Sequence, residues 1–253
     1  MISIITVCLN SEKTIEKTIK SVINQSCKDF EYIIVDGGSI DKTLEIVDRY
    51  NLQSDIPFLI ISEKDNGIYD AMNKGISIAH GDVIGIINSD DWYDYDAVSI
   101  IKKQIEKYGS KDIVFYGKEA VVEGTEVTKI NSKSHNDLPK AMFPHEAAFV
   151  SKNIYEEQLY DLGYRLCSDY DFMLKAFHNN KKFIFVDEII DYFTPNGASS
   201  SYYASVERLN IRKKYHDINS FEYITFYVWK QFMYKIELMK KRKVNALIGA
   251  RQL

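Results

Sequence analysis

Within the first hundred residues, short apolar runs alternate with stretches whose apolar residues recur at helical spacing. Ile2 to Leu9, Tyr32 to Val35, Phe58 to Ile61 and Val83 to Ile87 read as buried strands, being short, apolar and bounded by turn residues. Between them, Ile15, Ile19, Val22 and Ile23 mark one helix face, Leu44, Val47 and Tyr50 a second, and Ile68, Met72, Ile76 and Ala79 a third that starts near Gly67. Val98, Ile101, Ile105 and Tyr108 stripe a fourth helix after the last strand, and Asn10 and Ser11 supply a turn and N-cap for the first. This alternation leaves few architectures open. It predicts right-handed βαβ units and an α/β fold with a mainly parallel central sheet flanked by helices.

In such sheets ligands bind beyond the carboxyl ends of the strands, and polar residues collect there. Asn10 follows the first strand, Asp36 the second, Asp65 and Asn66 the third, and Asn88-Ser89-Asp90-Asp91 the fourth. Two adjacent carboxylates at the end of a buried strand repel each other and are costly to desolvate. A hard divalent cation, Mn²⁺ or Mg²⁺, relieves both and commonly shares its remaining positions with a diphosphate. A polar turn capping the next helix would use the same residue types. Gly37-Gly38 lets backbone approach a ligand closely, and Asp36 has the position of an acid that bonds a base or ribose. No G-x-G-x-x-G opens the first helix and no G-x-x-x-x-G-K-[ST] occurs, so neither a dinucleotide fingerprint nor a P-loop is indicated.

The net charge of −4 is unevenly spread. From Trp229 to Arg251 there are seven Lys/Arg and one acid, +6, against −10 for the remainder. An acidic body argues against nucleic-acid binding, and a basic tail suits an anionic membrane surface. Cys8, Cys27 and Cys167 have no metal-type spacing and are expected as reduced thiols of a cytoplasmic protein. The first residues run directly into a strand pattern rather than a signal peptide, and no apolar run is long enough to span a bilayer.

Several segments, in order, resemble the family-2 glycosyltransferases with a GT-A fold: Thr6-Val7-Cys8-Leu9-Asn10, Ser21 to Ser26, Ile34-Val35-Asp36-Gly37-Gly38-Ser39-Ile40-Asp41-Lys42-Thr43, Asp65 to Gly75, Ala79-His80-Gly81-Asp82 and Asn88-Ser89-Asp90-Asp91. The resemblance implies a nucleotide-diphospho-sugar donor, usually a UDP-sugar, and inversion at the anomeric carbon. It implies that Thr6, Asn10 and Asp36 hold the base, that the segment with Gly67 and Asn73 closes over the nucleotide, and that the Asp-x-Asp type motif binds ribose and metal. Here Asn88 stands at that motif's first position, a departure that assigns the cation chiefly to Asp91, with Asp90 near the ribose or the cation's waters. Ser168-Asp169-Tyr170-Asp171-Phe172 resembles the family's Glu-Asp-Tyr-Asp type segment, which makes Asp169 the catalytic base, with Asp171 supporting it; Ser168 replaces the usual acid.

The expected reaction is direct displacement: a carboxylate takes the acceptor hydroxyl's proton as that oxygen attacks, and the cation offsets charge on the leaving diphosphate. The resemblance and the basic tail point to a lipid-linked saccharide acceptor in cell-surface polysaccharide assembly. The alternatives are a polyprenyl-phosphate glycosyltransferase, which needs less help from a base, and a non-enzymatic nucleotide-sugar-binding module. His145, in Pro144-His145-Glu146, is a candidate contact for acceptor or diphosphate, or a structural hydrogen-bonder; Pro195 to Ser201 reads as a polar loop. Residues 1–218 are expected as the GT-A domain, with a nucleotide-binding half over 1–100 and an acceptor half over 101–218. Residues 219–253 form a basic amphipathic helical extension, striped by Phe221, Ile224, Val228, Phe232, Ile236 and Met239. Such a helix would lie on the inner face of the membrane, and the same stripe would serve docking on the core or on the second subunit of a homodimer.

Overall fold

The computed structural model describes residues 1–195 and 201–249; the side chains of Glu237, Leu238 and residues 240–249 fall outside that description, and with them the Lys240 to Lys243 cluster and most of the Pro195–Ser201 loop. Strands β1 (Ile2–Cys8), β2 (Phe30–Asp36), β3 (Phe58–Ser62) and β4 (Val83–Asn88) are parallel in the order β3-β2-β1-β4. They are joined by α1 (Ile15–Ile23), α2 (Thr43–Gln53) and α3 (Ile68–Ile78). The chain steps outward from β1 to β3 and then returns to β1's other side as β4. That reversal opens a crevice between the carboxyl ends of β1 and β4, the place where a ligand fits an open α/β sheet.

The α3 stripe buries Met72, Ile76 and Ala79 as expected and departs from its expected face at Ile68. Tyr69, Ala71, Met72, Gly75 and Ile76 are buried, while Ile68 is 42% exposed. The helix opens from Gly67 at φ 117°, which turns its first residue outward and its second inward. Gly75 is seated against β1, where a Cβ would lie 2.6 Å from Ile5 Cγ2.

Beyond β4 the sheet is mixed. β5 (Trp92–Tyr93), α4 (Ala97–Tyr108), β6 (Ile113–Glu123), β7 (Glu126–Asn131), β8 (Ala148–Ser151), α5 (Lys152–Glu157), α6 (Ser168–His178) and β9 (Lys182–Phe193) follow. β8 lies antiparallel between β4 and β6, β9 runs parallel to β6, β5 pairs antiparallel with β9, and β7 forms a hairpin with β6. The described residues thus form a nine-stranded sheet, β3-β2-β1-β4-β8-β6-β9-β5 with β7 on β6. The β3-β2-β1-β4 part is the part built from successive βαβ units, and beyond it only the β6–β9 pair is parallel among the described residues.

The chain divides into two compact units, Met1–Asn196 and Gly197–Leu253. In the second unit α7 (Tyr202–Lys214) packs along α8 (Ser220–Gly249), so α7 groups with the extension expected to begin at residue 219. Tyr202 stacks on Tyr234 at 4.3 Å, the Tyr223 hydroxyl donates to Asn210 at 2.9 Å, and Lys230 donates to Ser205 at 3.3 Å. The hydrogen-bonding face of α8 is therefore turned to α7. Phe221, Ile224, Val228, Phe232 and Met239 are exposed.

Candidate active site

The loops at the crevice are held by short polar side chains. Asp36, at the end of β2, is fully buried. Its carboxylate accepts from the Gly38 and Ser39 amides at 3.1 and 3.0 Å, from the Ser62 hydroxyl at 2.8 Å and from the Ser39 hydroxyl. Asp36 therefore shapes the Gly37-Gly38-Ser39 turn, where Gly38 has φ 88° and a Cβ on Gly37 would meet Asp65 Oδ2 at 2.3 Å. Asn10, at φ 50°, accepts from the Ile40 amide at 2.9 Å and donates its own amide to Ser39 Oγ at 2.7 Å. The Ser11 and Ser89 hydroxyls lie 2.7 Å apart, joining the loop after β1 to the turn after β4. Thr6 sits deeper: it is fully buried, 3.0 Å from the Tyr32 hydroxyl, and supports the floor rather than lining the rim.

The turn after β4 carries the strongest electrostatics. Asp91 is 1% exposed, accepts from the Thr194 amide at 2.9 Å, and its backbone carbonyl accepts from Thr18 at 2.6 Å. Burial, then the charges of Glu146 and Asp90, push its carboxyl up to about 9. Asp90 beside it is exposed. Asn88 donates its side-chain amide to Glu146 Oε1 at 2.7 Å, and Glu146 also faces His145 Nδ1 at 3.3 Å. Burial opposes charge on both members of this pair, yet Glu146 lifts His145 to about 9, with help from Asp169 and Asp91. His145 in turn holds Glu146 below its ordinary value. Asn88 Oδ1 and His145 Nε2 are buried with no partner among the described residues.

Behind this turn lies a second layer of acids. Glu119 on β6 accepts from Asn131 at 2.6 Å and is aligned in register with Asp191 on β9. Asp191 is fully buried, and neither of its carboxyl oxygens has a partner among the described residues. Burial, then Glu119, Glu146 and Asp91, push it well above the usual carboxylate range. The folded chain thus keeps a proton that the unfolded chain releases above about pH 4, so stability falls as pH rises, by about 1.4 kcal/mol per pH unit for one proton. Asp191→Asn, which mimics the protonated acid, is expected to flatten the decline in melting temperature between about pH 5 and pH 8; an unchanged slope would assign it to another group.

α6 supplies the carboxylates from the opposite side. Asp169 and Asp171 lie in its first turn, where the helix dipole favours acids. Neither is the N-cap, which is Cys167. Asp169 is partly exposed and accepts from the Tyr69 hydroxyl at 2.7 Å, whereas Asp171 is buried. The Ser168 hydroxyl is buried without a partner among the described residues. Asn73 is turned to the scaffold: its amide donates to the Tyr160 carbonyl at 2.9 Å and accepts from the Tyr160 amide at 3.0 Å. Gly67, with open space around its Cβ position, starts α3 nearby.

The fold thus gathers Asn88, Asp91 and Asp169 around His145, while Asn10 and Asp36 order the adjoining loops and Thr6 and Asn73 act from beneath. Glu146, Glu119, Asp191 and Tyr69 complete the arrangement and were not singled out as site residues from the sequence. Asp191 carried a legible signal, an acid inside the apolar run Ile189-Ile190-Asp191-Tyr192-Phe193. Among the described residues no group of three or more His, Cys, Asp or Glu side chains is arranged to hold a metal ion by itself. The turn still suits a hard cation that takes its other ligands from a diphosphate and water, because Asp91 is a carboxylate raised first by burial and then by the neighbouring acids Glu146 and Asp90.

Comparison with known proteins bears on the family and the fold. The sequence profile described as Glycosyl transferase family 2 matches residues 3–156. A PGL/p-HBAD biosynthesis glycosyltransferase of Mycobacterium bovis is 31% identical over 185 residues, covering 71% of this chain and 70% of that protein. S. aureus TarS 1-349 in complex with UDP superposes with a TM-score of 0.67 at 20% identity, over 83% of this chain and 64% of that one. A mannosyltransferase from Pyrobaculum calidifontis in complex with GDP-Man and Mn²⁺ gives 0.61 at 17% identity, over 82% of this chain and 60% of that one. With more than half of its length matched by the family profile and its sheet shared with these structures, the chain belongs to glycosyl transferase family 2 and is a glycosyltransferase with the GT-A fold.

Proposed function

We propose that this enzyme transfers a sugar, with inversion, from a nucleotide-diphospho-sugar to a hydroxyl of a lipid-linked saccharide in cell-surface polysaccharide assembly. A UDP-sugar is the first choice of donor, on the strength of the TarS complexes with UDP and UDP-GlcNAc. The observation that supports this reading is that Asn88 of the β4 turn bonds Glu146 at 2.7 Å, which stands 3.3 Å from His145, with the charges of Asp91 and Asp169 both felt at that imidazole. The loops ordered by Asp36 and Asn10 frame the base, and Asn88 and Asp90 face the ribose side. Mn²⁺ or Mg²⁺ held by Asp91, with Asp90 close by, would neutralise charge on the leaving diphosphate. Asp169 accepts the acceptor hydroxyl's proton; Tyr69 fixes its orientation, and Asp171 steadies the first turn of α6. A screen of nucleotide-sugars with Mn²⁺, scored by diphosphate release, tests this reading. Turnover of at least one donor, lost in excess EDTA, is expected; no turnover together with no melting shift by UDP or GDP would overturn it.

The second unit fits attachment to an anionic membrane surface on the inner face. Residues 197–253 carry eleven basic and four acidic side chains, a net of +7, which disfavours pairing of two copies along this helix. The exposed stripe from Phe221 to Met239 is about 27 Å long at 1.5 Å per residue, enough to lie in an interface plane; no described helix is long and apolar enough to cross a membrane. Replacing Phe221, Ile224, Val228 and Phe232 by Ser is expected to reduce co-flotation with phosphatidylserine vesicles about tenfold while leaving donor hydrolysis unchanged. Equal binding to neutral vesicles, or a concentration-dependent dimer lost in the variant, would make the stripe a subunit contact instead.

A further inference from the structure

We propose that His145 is a catalytic residue that donates a hydrogen bond from Nε2 to the leaving β-phosphate of the nucleotide-sugar, and that Glu146 is the positioning residue that aims both His145 and Asn88. The proposal rests on the glycosyl-transfer reading above and names a contact within that site.

The geometry begins at Glu146. Its carboxylate takes the Asn88 Nδ2–H at 2.7 Å and stands 3.3 Å from His145 Nδ1. The first contact decides which way the Asn88 amide points, so Oδ1 is presented and has no partner among the described residues. The second directs one ring nitrogen of His145 at Glu146 and presents the other, Nε2, likewise without a partner among the described residues. The His145 side chain is only 9% exposed. Two buried polar atoms without partners, joined through one carboxylate, are costly unless a ligand satisfies them. One is an acceptor, suited to a hydroxyl. The other is a donor when the ring is protonated, and Glu146 keeps it so, lifting it to about 9 against the effect of burial.

Charge selects the β-phosphate as the partner. The acids around His145 include Glu146, Asp169 and Asp91, so an anionic leaving group enters a negative neighbourhood in which the imidazolium is a compensating cation supplied by the chain itself. As the glycosidic C–O bond breaks, its electron pair stays on the β-phosphate oxygen. A fixed N⁺–H donor at that oxygen gains strength as charge develops, which is the condition for transition-state stabilisation. The acceptor's proton goes to Asp169, so His145 ends the step as it began, still protonated.

The test is isothermal titration of wild type and His145→Gln with UDP and with UMP in Mn²⁺ buffer. A charge-assisted buried hydrogen bond predicts a loss of UDP affinity of about tenfold or more, with UMP affinity changed less than about twofold. Glu146→Gln keeps a side chain able to meet Asn88 and removes the charge on the imidazole; it should show the same UDP-specific loss, smaller in size, and gives the answer where His145→Gln does not fold. Equal losses for UDP and UMP in the two variants would make the pair structural. Unchanged UDP binding with slower donor hydrolysis would move the contact to the sugar. Both results overturn the proposal while leaving glycosyl transfer standing, whereas wild type binding neither UDP nor GDP would remove the reading on which it rests.

Discussion

Asp91→Asn is expected to lower kcat/KM for sugar transfer by about 10³-fold or more and to remove the dependence of donor binding on Mn²⁺, because charge stabilisation at a leaving diphosphate is worth several kcal/mol. The substitution is nearly isosteric. The new amide oxygen can still accept from the Thr194 amide that Asp91 engages at 2.9 Å, so the β4 turn should survive. Folding should also gain: the native carboxyl is buried beside Glu146 and Asp90 and is pushed up to about 9. A melting temperature equal to or above that of wild type, together with lost activity, would separate chemistry from collapse. Titration of donor hydrolysis with Mn²⁺ provides the check. Wild-type-like rates in Asp91→Asn, or undiminished wild-type rates in excess EDTA, would remove the cation from this corner.

How far the sequence reaches differs between the two halves of the catalytic unit, for a physical reason. In the first half each strand is a short apolar run and each helix an apolar stripe, so local pattern and tertiary role coincide; β1, β3 and β4 begin at Ile2, Phe58 and Val83 as read, and β2 begins two residues before Tyr32, at Phe30. Site residues there sit at strand ends, where turn chemistry also marks them, as at Asp36 and Asn88. The second half is assembled by contacts distant in sequence. β8 has four residues and runs antiparallel between β4 and β6, an insertion that no local periodicity announces. Glu146 matters because it reaches Asn88, 58 residues away, and Tyr69 because it reaches Asp169, 100 residues away. Asn73 shows the converse. Its motif marks it as a site residue, but its amide is engaged with the Tyr160 main chain, a use that only the folded chain reveals. Thr6 lies on the expected strand, yet the alternation of the strand turns its hydroxyl toward Tyr32 inside the sheet.

Asp169→Asn is expected to reduce turnover by a factor on the order of 10² to 10⁴, the range for a positioned general base, while donor binding changes little. The amide can still accept from the Tyr69 hydroxyl, now at 2.7 Å from Asp169 Oδ1, so the link between α3 and α6 should remain. What is lost is basicity alone. Tyr69→Phe tests the support separately: the carboxylate stays but loses the bond that orients it, and a smaller fall of about tenfold is expected from one lost hydrogen bond to a charged group. Asp171→Asn should fall between no effect and Tyr69→Phe, because Asp171 is buried in the same helical turn and is expected to act through the position of Asp169. Single-turnover rates with a hydroxyl acceptor, alongside donor affinities, distinguish these cases. If Asp171→Asn proves the more damaging change while both variants keep the wild-type fold, the base has been placed on the wrong carboxylate. If Asp169→Asn leaves turnover intact, a hydroxyl acceptor is itself in doubt, because an acceptor already ionised, such as a polyprenyl phosphate, gives up no proton and has little need of a base.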